Sequence, residues 1–167
     1  TQGLDPHLAT GVPEHNIIAA LLEGLVGEDP KTLAPEPGAA QSWDVSDDLL
    51  TYTFYLNPQA KWSNGDPVTA SDFVYSWKRL LMPGLAAEYA YQLFVVKNAR
   101  EFNQGTIENF DQVGAKALDP LTFEVQLEAP TPYFLSLLNH YSTFPVHRPT
   151  IEQFGAIDDP GSLWTRA

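Results

Sequence analysis

The sequence predicts an α/β fold of the α+β class, in which helices pack on a small, largely antiparallel sheet. Two pairs of segments with alternating apolar residues are separated by turn residues, which is the pattern of β-hairpins. Three or four other segments repeat their apolar residues at helical spacing. No internal repeat, low-complexity tract or clear linker interrupts these segments, so the helices are expected to cover the sheet directly.

The first predicted hairpin joins residues 39–44 to residues 51–56. The second of these segments alternates strictly, which is typical of a half-buried strand. Its buried face is expected to comprise Tyr52, Phe54 and Leu56. Asp47 and Asp48 lie between the segments and are interpreted as solvated turn residues, because neighbouring carboxylates on a loop do not face one substrate atom.

The second predicted hairpin joins residues 113–118 to residues 121–127 around Asp119-Pro120. Its buried face is expected to comprise Phe123, Val125 and Leu127. Residues 28–38 contain three prolines and are expected to form an irregular connection.

Residues 60–81 carry the most detailed local signals. The Asn-Gly pair at 64–65 predicts a turn, since both residues tolerate positive φ. Thr69 can cap a helix, with Asp72 three residues later beside the partly positive helix start. The helix is expected to end before Pro83, which cannot continue it. Its apolar stripe is expected to comprise Phe73, Val74, Trp77, Leu80 and Leu81.

Further helical segments are predicted on either side of this helix. They are residues 14–25, 86–96, 98–105 (a short helix or turn), 133–139 and 149–154. Thr131-Pro132 is expected to cap the fourth of these. Gly155 is expected to end the last one, and residues 156–167 are expected to be loose.

Composition excludes several classes of function. The net charge is −12, with 9 basic and 21 acidic residues, which disfavours binding to phosphate backbones. The chain has no cysteine, so disulfides, thiol catalysis and cysteine-ligated zinc are excluded. No apolar run approaches the length of about 18 residues that a membrane-spanning helix needs. No G-x-S-x-G, H-E-x-x-H or P-loop motif is present.

Histidines and tyrosines are the remaining candidates for a site. His7 and His15 invite a metal interpretation, but no carboxylate–histidine pattern accompanies them, so surface or capping roles are preferred and no cofactor is predicted. Tyr89 and Tyr91 can form a ligand-facing aromatic wall. From the residues alone, packing is the preferred interpretation of both.

Residues 60–81, with Leu-Thr-Tyr-Thr-Phe-Tyr-Leu at 50–56 before them, resemble the signature of the extracellular solute-binding proteins, family 5, of peptide ABC importers. The oligopeptide-binding branch is the best match. Further similar pieces follow in the family's order along nearly the whole chain: residues 4–7, 11–14, 22–25, 114–119, 132–134 and 145–146.

The resemblance implies an N-terminal fragment of a longer protein with a periplasmic binding protein type II-like fold. Residues 1–22 would be the first segment of the main lobe, lobe I. Residues 23–148 would form the accessory small lobe, and residues 149–167 would return toward the main lobe. The longer protein would be periplasmic, or extracellular and lipid-anchored.

The resemblance also implies the function and the site. Members of the family capture extended oligopeptides and deliver them to a membrane permease without catalysis, and the peptide pairs with main-chain groups like an added strand. Thr10, Gly11 and Val12 match the strand of lobe I that pairs with the peptide, and Gly11 permits close approach. Tyr89 matches a tyrosine that lines the cavity, and His140 matches a histidine near it. Thr10 departs from the family, which often has an acidic residue there.

Two alternatives stay open. One is a different ligand in the same binding class, such as a murein peptide, nickel or haem. The other is a hydrolase that uses carboxylates, although Asp66, Asp72 and Asp119 have better uses in turns and caps. Because the aspartate that anchors the peptide's ammonium group would lie in another lobe, this chain alone is expected to bind peptides weakly or not at all.

Overall fold

The helices and strands follow one another in short elements along the chain. A computed structural model describes residues 3–166. The helices are α1 (Val12–Leu21), α2 (Ala70–Leu81), α3 (Ala99–Asn103), α4 (Phe134–Leu137) and α5 (Arg148–Phe154). The strands are β1 (Val26–Glu28), β2 (Pro35–Pro37), β3 (Ala40–Val45), β4 (Thr51–Leu56), β5 (Ala115–Asp119) and β6 (Thr122–Gln126). Short 3-10 turns lie at Pro83–Leu85, Ala90–Leu93, Phe110–Gln112, Tyr141–Thr143 and Trp164–Arg166.

The main sheet is antiparallel throughout, with strand order β3-β4-β6-β5. Both predicted hairpins are confirmed: Trp43 lies opposite Phe54, and Phe54 in turn lies opposite Phe123. The predicted inward faces are buried, because strict alternation places every second side chain on the covered side. The predicted mixed fold of helices on a small antiparallel sheet is therefore confirmed.

Helix α2 covers this sheet. It begins after Thr69, the predicted cap, whose side chain forms a capping box with Asp72. Trp77 is fully buried and stands edge-on to Phe123, with ring centroids 5.1 Å apart. Its indole Nε1 donates to the Thr143 carbonyl at 3.1 Å, so the ring's one polar atom is satisfied. Burial of such a side chain contributes about 1.5–3 kcal/mol to folding.

The connection at residues 28–38 is more regular than predicted. Strands β1 and β2 pair antiparallel in a separate two-stranded ribbon. The Asp29 carboxylate accepts from the backbone N–H of Lys31 at 2.8 Å and of Thr32 at 2.7 Å, which closes the turn between the strands. The prolines of β2 are tolerated because both edges of so small a ribbon lie at the surface.

Several predicted helix bounds were wrong. Helix α1 starts two residues early and ends at Leu21, because Leu22 is already extended. The helix predicted over residues 86–96 is reduced to one 3-10 turn, since Ala86 adopts a left-handed conformation with φ 52°. Helix α4 covers only part of residues 133–139, and the Thr131 hydroxyl donates to the Ala129 carbonyl instead of capping it.

Residues 156–166, predicted to be loose, pack against the core. Ile157 and Trp164 contact a buried cluster of Tyr75, Val146 and Ile151. Ala167 lies outside the described residues. Within residues 3–166, no helix has the length and apolar content needed to cross a membrane.

Candidate functional site

Three ring side chains form an aromatic wall, which comprises Tyr89, His140 and Tyr141. The centroids of Tyr89 and His140 are 4.7 Å apart in an edge-on arrangement, and His140 stacks on Tyr141 at 4.4 Å. Tyr89 and Tyr141 are 6.1 Å apart. Two of the predicted site residues, Tyr89 and His140, are thus brought into contact.

Two 3-10 turns position these rings. Tyr89 precedes the turn Ala90–Leu93, which is anchored because Ala90 and Leu93 are buried. His140 precedes the turn Tyr141–Thr143, and its Nδ1 accepts from the Ser142 backbone N–H at 3.3 Å. Tyr89 and His140 are half-buried, so part of each ring faces solvent.

The N-terminal segment, residues 3–11, lies against this wall. The Tyr141 hydroxyl donates to the Ala9 carbonyl at 2.7 Å, immediately before Thr10. His15 of α1 stands edge-on to Tyr141 at 5.1 Å. The structure therefore holds Ala9, the residue before Thr10, against Tyr141 of the ring wall.

The expected strand over Thr10, Gly11 and Val12 is not formed within this chain: Thr10 and Gly11 lie in no strand, and Val12 lies in a helix. Gly11 is extended, with φ −88° and ψ 149°, but Val12 is the first residue of α1 and its side chain is 74% exposed. A Cβ at Gly11 would collide with the carboxylate of Glu14, which folds back over the helix start. Part of the need for glycine at this position is therefore internal to the chain.

His140 and Tyr141 of the wall are held in their uncharged forms at neutral pH. Burial, followed by repulsion from His15, lowers the pKa of His140 below its ordinary value. Burial, followed by the effect of Tyr89, raises the pKa of Tyr141 to about 12. The wall can therefore pack against apolar or main-chain parts of a ligand and donate or accept neutral hydrogen bonds.

Thr10, Gly11, Tyr89 and His140 are each partly exposed to solvent, and Val12 is exposed. Thr10 lines a cavity of about 480 Å³ together with Glu88, residues 160–163 and Thr165. A larger groove, of about 860 Å³, lies between α2, β5 and α5 and is lined by none of the predicted site residues.

The candidate carboxylates serve local structure. Asp72 accepts from the Thr69 backbone N–H at 2.7 Å, and Asp119 accepts from that of Leu121 at 2.8 Å. Asp66 accepts from the Asn64 side chain at 2.8 Å. The prediction that they act in turns and caps is confirmed. Within residues 3–166, no group of three histidine or carboxylate side chains is arranged to hold a metal ion.

Sequence reasoning missed a buried polar network, formed by Asp5, His7, Arg79 and Trp164. His7, predicted to be a surface or capping residue, is 1% exposed, and Arg79 is fully buried. The Arg79 guanidinium donates to both Asp5 oxygens, at 2.9 and 2.6 Å, and the Trp164 Nε1 donates to Asp5 at 2.9 Å. The position of Arg79 could have indicated a buried charge, because it lies two residues after Trp77 and directly before Leu80 in a helix that is buried on most sides.

The charges of this network follow from its burial. Burial alone would raise the pKa of Asp5, but its hydrogen bonds and ion pair with Arg79 outweigh that effect and lower it. Burial, followed by the charge of Arg79, lowers the pKa of His7 to about 3. The folded protein therefore holds an ionised Asp5, a neutral His7 and a charged Arg79.

The chain is similar to known proteins over nearly its whole length. The chain is 46% identical over 167 residues to the periplasmic oligopeptide-binding protein OppA of Escherichia coli (strain K12), covering 98% of this chain and 30% of that protein. It is 39% identical over 162 residues to the periplasmic murein peptide-binding protein MppA of the same strain, covering 96% of this chain and 30% of that protein.

A solved structure is equally similar. Haemophilus influenzae OppA in complex with RPPGFSPFR superposes with a TM-score of 0.87 at 45% identity, covering 92% of this chain and 30% of that one. The chain therefore spans less than a third of the length of the relatives it matches. The family described as bacterial extracellular solute-binding proteins, family 5 Middle, matches residues 34–165. The chain belongs to this family of bacterial extracellular solute-binding proteins.

Proposed function

We propose that this chain is part of an ABC-importer solute-binding protein that captures extended oligopeptides and delivers them to a membrane permease. The supporting observation is the contact of the N-terminal segment with the aromatic wall, in a chain 46% identical to an oligopeptide-binding protein. An extended peptide would lie between Thr10-Gly11 and the rings of Tyr89 and His140. Main-chain pairing and neutral rings favour affinity for a backbone rather than for one side chain.

The proposal also names the binding partners of the protein and the cell compartment in which it works. A peptide is the ligand, an ABC permease is the membrane partner, and no catalytic step occurs. The longer protein works in the periplasm, or outside the cell on a lipid anchor. Because this chain spans less than a third of its relatives, the rest of the peptide's enclosure would come from additional polypeptide.

Calorimetric titration of a longer protein that contains this sequence tests the proposal. The nonapeptide RPPGFSPFR and trialanine are the probes, and both are expected to bind. Replacement Tyr89→Ala is expected to weaken binding about tenfold, or 1.4 kcal/mol, because the ring faces the ligand. Tyr55→Ala is the matched control, since Tyr55 lies on the exposed face of β4, where its hydroxyl donates to Asp44 at 2.9 Å. Absence of binding to both peptides would refute the proposal.

Murein peptide is the second candidate ligand, favoured by the 39% identity to MppA. Murein tripeptide in the same titration distinguishes the two. Binding of murein tripeptide with no binding of trialanine or the nonapeptide would reassign the ligand within the same binding class.

A further inference from the structure

The N-terminal segment reaches the aromatic wall without belonging to a strand or helix. Its internal backbone bonds are local, from the N–H groups of Leu8 and Ala9 to the Asp5 carbonyl at 3.1 and 2.8 Å. Two side chains from elsewhere bracket this turn. Arg79 of α2 holds Asp5 at its start, and Tyr141 holds Ala9 at its end.

Arg79 is well placed to fix the position of the N-terminal segment. Helix α2 is packed against the main sheet, so the guanidinium projects from a rigid element. Its two-pronged contact with Asp5 fixes both distance and plane. Its Nη1 also lies 2.8 Å from His7 Nδ1, and its Nε donates to the Ile157 carbonyl at 3.0 Å. One side chain therefore ties the N-terminal segment and the tail to α2.

Stability alone is a weak explanation for this arrangement. Well-packed apolar residues often stabilise a core as much as a buried ion pair does, because both charges lose their hydration. What an ion pair adds is a requirement for one geometry. Here that geometry holds Asp5 against α2, five positions before Thr10.

We propose that Asp5, Arg79 and Tyr141 are positioning residues that hold Thr10-Gly11 at the distance from the aromatic wall that ligand binding requires. All three residues are buried, so this role requires no contact with the ligand, which would meet the wall at the partly exposed Tyr89 and His140. The effect on ligand binding rests on the proposed function, whereas the placement of the segment does not.

Amide signals in the NMR spectrum of this 167-residue chain test the placement. Asp5→Asn keeps the shape of the side chain and removes its charge. It is expected to shift the Thr10 and Gly11 amides and the Tyr141 ring signals, while the Phe54 and Phe123 amides of the sheet stay in place. Asp66→Asn is the matched control, because it removes a carboxylate that pairs with His147 at 3.0 Å at the surface. A loss of thermal stability with unmoved Thr10 and Gly11 signals would overturn the proposal.

Two further variants test the placement of the segment in case Asp5→Asn does not fold. Arg79→Lys keeps the positive charge but cannot donate two parallel hydrogen bonds to Asp5, and it is expected to shift the same amide signals. Tyr141→Phe removes only the hydroxyl bond to Ala9 and is also expected to shift them. If Tyr141→Phe folds and leaves both amides unchanged, the second anchor does not position the segment and the proposal fails.

Titration of the longer protein with trialanine tests the consequence for binding. Asp5→Asn is expected to weaken affinity about tenfold, and Asp66→Asn to change it by less than about twofold. Wild-type protein that does not bind trialanine would count against the proposed function, while the amide shifts would still decide the placement. Shifted amides with unchanged trialanine affinity would refute the positioning role alone.

Discussion

His7 illustrates how neighbours decide the state of a residue. Arg79 can only donate hydrogen bonds, so His7 Nδ1 must accept, and its Nε2 carries the hydrogen that faces the Phe144 carbonyl at 3.4 Å. Burial and the charge of Arg79 keep the ring neutral. None of this could be predicted from sequence, because Asp5 and Arg79 are separated by 74 positions and no local pattern joins them.

The stability of this chain is expected to fall as pH falls from about 6.5 toward 3. The unfolded chain protonates His7 near its ordinary pKa of 6.5, whereas the folded pKa is about 3, so the unfolded state binds more protons in this window. The expected loss attributable to His7 is about 2 kcal/mol between pH 7 and pH 5. Urea unfolding at several pH values measures it.

His7→Asn separates this effect from other titrations. Asparagine keeps an acceptor for Arg79 but cannot protonate, so the variant should lose less stability than wild type between pH 7 and pH 5. His15→Asn, at an exposed position of α1, is the matched control. Equal pH slopes for wild type and His7→Asn would show that His7 does not control this dependence.

Elements with strong local signals were predictable, and those that depend on distant packing were not. Strand β4 and helix α2 have the expected bounds because alternation, capping and proline act within a few residues. Helix α1 ends early although its apolar spacing continues to Leu25, because Leu22 leaves the helix and Leu25 packs in the main core. The wall was predictable only through the family resemblance, since apolar spacing cannot place Tyr89 against His140.

The start of α2 should be sensitive to its cap. In the capping box, the Thr69 side chain accepts from the helix while the Asp72 carboxylate accepts from the Thr69 N–H. Thr69→Ala is expected to lower the free energy of unfolding by about 1 kcal/mol. Denaturant unfolding measures this, and Ser71→Ala, at an exposed position of the same helix turn, should change it by less than about 0.5 kcal/mol.

The effects of Thr69 and Asp72 on the free energy of unfolding should also be coupled. Asp72→Ala combined with Thr69→Ala is expected to cost less than the sum of the single changes, because each removes part of one reciprocal arrangement. Additive losses would mean that the two side chains act independently at this helix start.

At the scale of the whole molecule, helix α1 leaves apolar side chains exposed to solvent. Helix α1 buries only Glu14 and Ile18, and leaves Val12, Ile17 and Leu21 at least 41% exposed. These residues follow directly on Thr10-Gly11, so the bare apolar surface adjoins the proposed ligand face. Such surface commonly marks an interface. The boundaries at residues 22 and 148 between accessory and main lobes stay a prediction.

This openness leads to an expected difference in affinity between the chain alone and a longer protein that contains it. Because Thr10, Gly11, Tyr89 and His140 are each partly exposed in this chain, a peptide bound to them should keep much of its surface in water and still lose its freedom of movement on binding. The 167-residue chain should therefore show no saturation with trialanine or RPPGFSPFR below about 1 mM. Calorimetry under matched conditions compares the two proteins. Micromolar binding by the 167-residue chain would mean that these residues enclose the peptide unaided, and that the ring wall is a complete site rather than one side of it.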